Sequence, residues 1–420
     1  MWSGKLFSPR GLSGLHKLLR NELEEKCIGK RLRMNREYFI EGIEPLDLQS
    51  MTCLRVPQSI WVPLIESPVQ SVDDAIGKLR EVDWSLIPSL KSHGPRITVS
   101  RDNLVIGKSE KLQIFDAFRT FIQSQINTEF SIRLDHASQL SLSVNVIPPR
   151  PWIDSPSLMS FEERLDWRPS EQAIRTFRNE SSLQCLCASF LRVTPFHEWA
   201  RNAKEGDLVV WDPFAGNGAV LMEMLLSLLD SDCKFQRNVT IVANTKSLLS
   251  LDAISDKIHR LKAAFPNAIA LDIPTSDAEE TGIRKRGRKS KVTTKNPEIV
   301  PEEFNEKKIR SISLRIYSTV VAIHITTVPF EDTFPYVAGG LILSHIPKAY
   351  NELTGIDKHD LSEWTAFGSL IKTRSTDLDA FFFTETNSFA KYSKLKFSRM
   401  CHLVSPNGKS IGHFSKWLGI

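Results

Sequence analysis

The run Asp212-Pro213-Phe214-Ala215-Gly216-Asn217-Gly218 sets the tightest limit on how this chain can fold. Four apolar residues, Leu208 to Trp211, precede it and read as a buried strand. Ala219 to Leu229 follows and reads as an apolar helix. A strand that turns through glycines straight into a helix gathers backbone N–H groups and a helix N-terminus around one point. That point suits a nucleotide-like ligand. The chain beyond it repeats the same grammar, with apolar strand candidates in "VTIVAN", "TVVAIHIT", "GGLILSHI" and "LDAFFFTET". Asn407-Gly408 then stands between "CHLVS" and "SIGHFSKW" as a hairpin turn. Strands alternating with helices and closed by a hairpin predict an α/β fold, a mostly parallel sheet with one antiparallel edge.

The first part of the chain is written differently. Lys5 to Ser8 reads as a short strand, and Leu15, Leu18, Leu19 and Leu23 line one face of a helix that starts near Ser13. "SIWVPLIE", "RITVSRD" and the period-two run "QLSLSVNVI" read as strands, with a helix at "KLQIFDAFRTFIQSQIN". This is an α+β pattern. Four prolines within Pro148 to Ser157 mark its end, which predicts one module over 1–155 and another over 156–420. Within the second, 273–310 is polar and carries "GIRKRGRKSKVTTK", read as a disordered insertion. A solvated loop, a nucleic-acid tether and a nuclear localisation signal all fit that composition.

Composition narrows the classes. The 420 residues allow two or three domains, and the formal net charge of +5 fits a polyanionic partner without demanding one. No apolar run is long enough for a bilayer and no signal-peptide core opens the chain, so the expectation is an intracellular protein, cytoplasmic or nuclear, with an organelle left open, and no membrane partner. Six cysteines in a chain of this length are not a disulfide framework. Cys185 and Cys187 form a C-x-C pair without a second pair or nearby histidines, so they read as packed thiols and no metal site is expected.

Taken in order, these segments resemble the THUMP-domain RNA methyltransferases that act on guanine N2 of rRNA or tRNA. "LFSPRGLSGLHKLLRNELEE" resembles their ferredoxin-like opening, and "SMTCLRVPQSIWVPLIES" with "VDDAIGKLREVDW" the entry to the THUMP domain. "QLSLSVNVIPPRPWIDSPSLMSFEERLDWRP" resembles its last strand and exit linker. "DPFAGNGAVLMEM" resembles their first S-adenosylmethionine motif. "GGLILSHIPKAYNELTG" occupies the place of their catalytic Asn-Pro-Pro-Tyr motif, and "LDAFFFTETNSFAKYSKLKFSRMCHLVSPNGKSIGHFSKW" that of the closing strand and hairpin. The resemblance implies a class I, Rossmann-like methyltransferase domain preceded by an α+β ferredoxin-like/THUMP module. It implies S-adenosylmethionine as cofactor, structured RNA as partner, and a small activating subunit as a further candidate partner.

The resemblance also assigns residues. Asp212, Phe214, Gly216 and Gly218 would shape the cofactor pocket, and Glu223 matches the family's acid in the helix beyond. Asn244 stands after the second strand, where a carboxylate would accept the ribose hydroxyls. Thr326 or Thr327 stands where an acid would hold the adenine amine, with Glu331 and Asp332 nearby. In the catalytic motif His345 replaces Asn, Ile346 the first Pro and Lys348 the aromatic, while Pro347 matches. Guanine N2 is a poor nucleophile, so the family motif accepts its hydrogens and stacks an aromatic ring on the base. His345 and Pro347 are the catalytic candidates here. Two readings stay open: an active methyltransferase with an unusual site, or a degenerate relative that binds RNA as an assembly factor.

Overall fold

The computed structural model describes residues 5–7, 15–26, 32–34, 39–42, 54–56, 60–68, 71–81, 97–99, 113, 129–134, 139–146, 183–201, 206–229, 238–271, 309–337, 340–347, 358–374, 378–404 and 410–419. The chain forms two compact units, 1–193 with 401–413 and 194–400 with 414–420.

In the first unit, β1 (Lys5–Phe7), β2 (Leu32–Met34) and β3 (Phe39–Gly42) form an antiparallel sheet in the order β1-β3-β2. Helix α1 (His16–Lys26) buries Leu19, with Leu15 buried just ahead of it. It also buries Glu22, which is possible because that carboxylate is fully used. It accepts the N–H groups of Arg55 and Val56 at 2.8 and 2.9 Å and pairs with Arg192 at 3.1 Å. A second sheet joins β4 (Ile60–Pro68), β5 (Ile97–Val99), β6 (Glu129–Leu134) and β7 (Gln139–Val146) in the order β4-β7-β6-β5. Helix α2 (Val72–Arg80) is capped by the Ser71 hydroxyl, which accepts the Asp74 N–H at 3.1 Å. Cys185 and Cys187 are buried thiols of a helix over 183–193. The helix expected at "KLQIFDAFRTFIQSQIN" falls almost wholly outside the described residues.

A nine-stranded sheet is formed by β8 (Leu208–Asp212), β9 (Val239–Asn244), β10 (Ile269–Leu271), β11 (Ile309–Ile316), β12 (Thr319–Thr326), β13 (Leu341–Ile346), β14 (Asp379–Thr384), β15 (Phe397–Val404) and β16 (Ser410–Trp417). Their order is β10-β11-β12-β9-β8-β13-β14-β16-β15, and the unit boundary falls within the last two strands. The five strands from β12 to β14 run parallel. Both faces of such strands are covered, so they are apolar nearly throughout, as "LVVW" and "LILSHI" show. Strands β15 and β16 are neighbours separated by residues 405–409, a connection short enough only for an antiparallel return. Asn407-Gly408 itself lies outside the described residues.

Two features depart from the sequence expectation. Strands β10 and β11 extend the sheet antiparallel beyond β12. Strand β11 begins at Ile309, inside the stretch read as an insertion, and 272–308 lies outside the described residues. Helix α3 (Ala219–Leu229) is buried along nearly its whole length, as its all-round apolar sequence requires. Further helices are α4 (Leu248–Ala264), α5 (Phe330–Thr333), α6 (Lys358–Arg374) and α7 (Ser388–Ser393), beside a short helix at Phe196–Arg201 and a 3-10 turn at Phe334–Tyr336. Trp211, Phe330, Phe334, Phe367, Phe382 and Phe389 form one aromatic core, each ring worth about 1.5–3 kcal/mol of burial.

Candidate functional site

Strand β8 is the point where the sheet changes direction. Its successor β9 lies on one side and β13 on the other. Loops at the carboxyl ends of two such strands diverge and leave a crevice between them, where ligands of open α/β sheets bind. The structure has that crevice, a cavity of about 720 Å³. Phe214, Phe330, Trp364, Ile346 and Pro347 supply apolar walls, and Gly216, Thr245, Lys246, Thr327, Glu331 and Glu363 supply polar ones.

The glycine turn forms one side. Gly216 and Gly218 have φ of +52° and +77°, a region side chains enter at a cost. A Cβ on Gly218 would come within 2.9 Å of the Ile254 side chain, so Gly218 lets α4 pack close. A Cβ on Gly216 would meet nothing nearer than 4.0 Å, so at Gly216 the backbone faces the cleft. The two glycines therefore do different jobs. Phe214 is fixed edge-on by Phe367 and Phe330, at ring distances of 5.1 and 5.3 Å.

Asp212 closes β8 beneath this turn. It is buried, its Oδ1 accepts the Ser344 hydroxyl, and its Oδ2 has no hydrogen-bond partner among the described residues. Burial pushes its carboxyl up to about 7, against a smaller opposing pull from the Ser344 bond. The Ser344 hydroxyl also accepts the Phe214 N–H at 3.2 Å, so it joins the ends of β8 and β13. Sequence reasoning did not single out Ser344. Nothing in "LILSHI" marks its hydroxyl as a partner for a residue 132 positions earlier.

Asn244 is also at the cleft, but its side chain points into the core. Its Oδ1 accepts the Trp211 indole N–H at 2.7 Å, and its Nδ2 donates to the Val328 carbonyl at 2.8 Å and the Thr333 hydroxyl at 3.0 Å. Its carbonyl accepts the Ala215 N–H at 3.0 Å. Both amide hydrogens and one carbonyl lone pair are thus spent on protein. The residue clamps β8, β9 and the loop after β12 together. Thr326 is occupied too, its hydroxyl accepting the Val328 N–H at 3.0 Å, whereas Thr327 lines the cleft.

The two catalytic candidates separate. Ile346 and Pro347 line the cleft, while His345 does not. Alternation along β13 puts His345 on the opposite face from Ile342 and Ile346. There it stacks on Phe383, with ring centroids 4.6 Å apart, and its Nε2 lies 2.9 Å from Glu385 Oε1. Lys348 lies outside the described residues. Among Asp212, Phe214, Gly216, Gly218 and Asn244, the cleft is lined by Phe214, Gly216 and Asn244, with Asp212 and Gly218 behind them. Lys246 and Glu363 are cleft residues that sequence reasoning missed. They come from segments more than a hundred residues apart and pair at 2.8 Å.

A glycine turn after the first strand and a crevice at the switch point define a Rossmann-like architecture. Solved structures agree over the whole length. A candidate N6-adenine-specific DNA methylase from Listeria monocytogenes is 8% identical, with TM-score 0.54, and covers 100% of this chain and 97% of its own. SMU.472, a candidate methyltransferase complexed with SAH, is 10% identical with TM-score 0.54, covering 100% and 99%. TrmN from Thermus thermophilus is 11% identical with TM-score 0.51, covering 99% of each chain. No protein-family model and no curated protein sequence matches the chain. At these identities the likeness is one of fold. Among the described residues, no helix is long and apolar enough to cross a membrane.

Proposed function

We propose that the chain is an S-adenosylmethionine-dependent methyltransferase of nucleic acid, acting on guanine N2 in structured RNA. The observation that carries the cofactor is the cleft at the β8 switch point, with the Gly216 backbone open to it. The residues fit the group. The buried Asp212 Oδ2 is an acceptor still to be used, and Phe214 and Trp364 offer apolar surface for a base. A fold neighbour complexed with SAH supports the same choice. RNA as the substrate rests on the resemblance of the 1–155 segments to a THUMP module and on the basic run at 281–295, which would make binding fall steeply with salt.

When bound, the cofactor supplies an electrophilic methyl group. The chain's own part is to hold the amine and direct its lone pair. His345 is turned away, and the Ile346 carbonyl already accepts the Glu385 N–H at 3.0 Å. The Pro347 carbonyl is therefore our assigned acceptor for the amine hydrogens, and the apolar walls exclude water. The test is transfer of labelled methyl to structured RNA, with duplex DNA as control, beside calorimetric titration with S-adenosylmethionine. Methylated guanine in RNA is the expected product. The fold neighbours, methylases and methyltransferases by description, do not favour the second reading, RNA binding without catalysis. Protein that binds RNA yet neither binds added S-adenosylmethionine nor transfers a methyl group would decide for it.

A further inference from the structure

A ligand with a vicinal diol at this cleft needs a carboxylate near the end of β9, because two hydroxyl donors match the two oxygens of one carboxylate. Asn244 cannot serve, since its amide is committed to Trp211, Val328 and Thr333. Two acids line the cleft, Glu331 and Glu363. Glu331 sits on α5, after β12, and is exposed. Glu363 sits on α6, yet its Oε2 lies 2.8 Å from the ammonium of Lys246, two residues beyond Asn244. That ion pair brings a carboxylate from a distant helix to the end of β9. It also holds the carboxylate in place at the edge of the cleft.

We infer that Glu363, held by Lys246, is the ribose-binding acid of this protein, replacing across space the function that position 244 has given up. The inference rests on the cofactor reading above. A carboxylate contributes to a hydroxyl donor roughly one decade more affinity than a neutral acceptor does.

The experiment is calorimetric titration of the full chain with S-adenosylhomocysteine and with its analogue lacking the 2′ and 3′ hydroxyls. For Glu363→Gln we expect affinity for S-adenosylhomocysteine to fall about tenfold, and affinity for the dideoxy analogue to change less than about twofold. Glu363→Asp, which keeps the charge but shortens the reach, should fall between, and its melting temperature reports folding independently. Lys246→Met, which leaves the carboxylate but removes its holder, should weaken S-adenosylhomocysteine binding, and by less than Glu363→Gln does. Equal affinity of wild type and Glu363→Gln for S-adenosylhomocysteine would overturn the inference and leave the cofactor reading standing. So would equal losses on both ligands. Absence of binding by the wild type would sink the cofactor reading itself, and the inference with it.

Discussion

The ends of strands β8 and β9 lie side by side and have gone opposite ways. At β8 the turn keeps its ligand-facing features: Gly216 is open to the cleft, and Asp212 holds an oxygen with no partner among the described residues. At β9 the side chain that should face the ligand serves the core, where Asn244 satisfies an indole, a carbonyl and a hydroxyl at once. A polar group has a fixed number of bonds to give, and each one made inside the protein is unavailable to a ligand. The same sheet position can therefore be a binding residue or a structural clamp, depending on where the bonds run.

The sharpest way to break this comparison is Asn244→Asp. If position 244 were a ribose site, a carboxylate would strengthen S-adenosylmethionine binding. The clamp predicts the reverse, because a carboxylate cannot donate to Val328 and its charge is buried. We expect a loss of about 3–5 kcal/mol of stability in denaturant titration, with no gain in affinity. Tighter cofactor binding at unchanged stability would show that the amide is free.

Next in size is Asp212. A native carboxyl near 7 holds its proton where an unfolded aspartate, at 3.8, has released it. The unfolded state therefore binds fewer protons, and stability falls as pH rises from about 4 to about 7. At about 1.36 kcal/mol per unit the full difference is about 4 kcal/mol. Asp212→Asn should be more stable than the wild type at pH 8 and lose that advantage at pH 4. A pH-independent difference between the two proteins would overturn the assignment.

Smaller effects separate the two glycines and the edge of the clamp. Gly216→Ala should cost about 1–2 kcal/mol for its positive φ and weaken cofactor binding, since the methyl group enters the cleft. Gly218→Ala should cost at least as much in stability through Ile254, with less effect on binding than Gly216→Ala. Thr333→Val removes one hydrogen bond of the clamp and should cost about 1 kcal/mol, leaving affinity unchanged. Loss of affinity in Thr333→Val would mean that the clamp and the pocket are coupled.

Much of the second unit was legible in its sequence. The strand ending at Asp212, the helix Ala219–Leu229 and the strand ending at Ile346 are where the apolar runs put them. Local pattern sufficed there, because a strand covered on both faces and a helix buried nearly all round have few alternatives. Strands β10 and β11 were not legible. They are short or half-exposed, and they flank a polar stretch that masks their pairing. His345 was placed at the right element end but on the wrong face for the cleft, because register along a strand has period two and a motif match fixes position only to within a residue.

What the sequence determined by itself was the turn: two glycines and an aspartate between an apolar strand and an apolar helix admit few other conformations. Tertiary structure alone decided which polar groups face a ligand. Asn244 meets Val328 and Thr333 across 84 and 89 positions, and Lys246 meets Glu363 across a comparable gap. Hydrogen bonds act over about 3 Å of space whatever the chain distance, so one-dimensional spacing records the capacity of a side chain and not the partner that uses it.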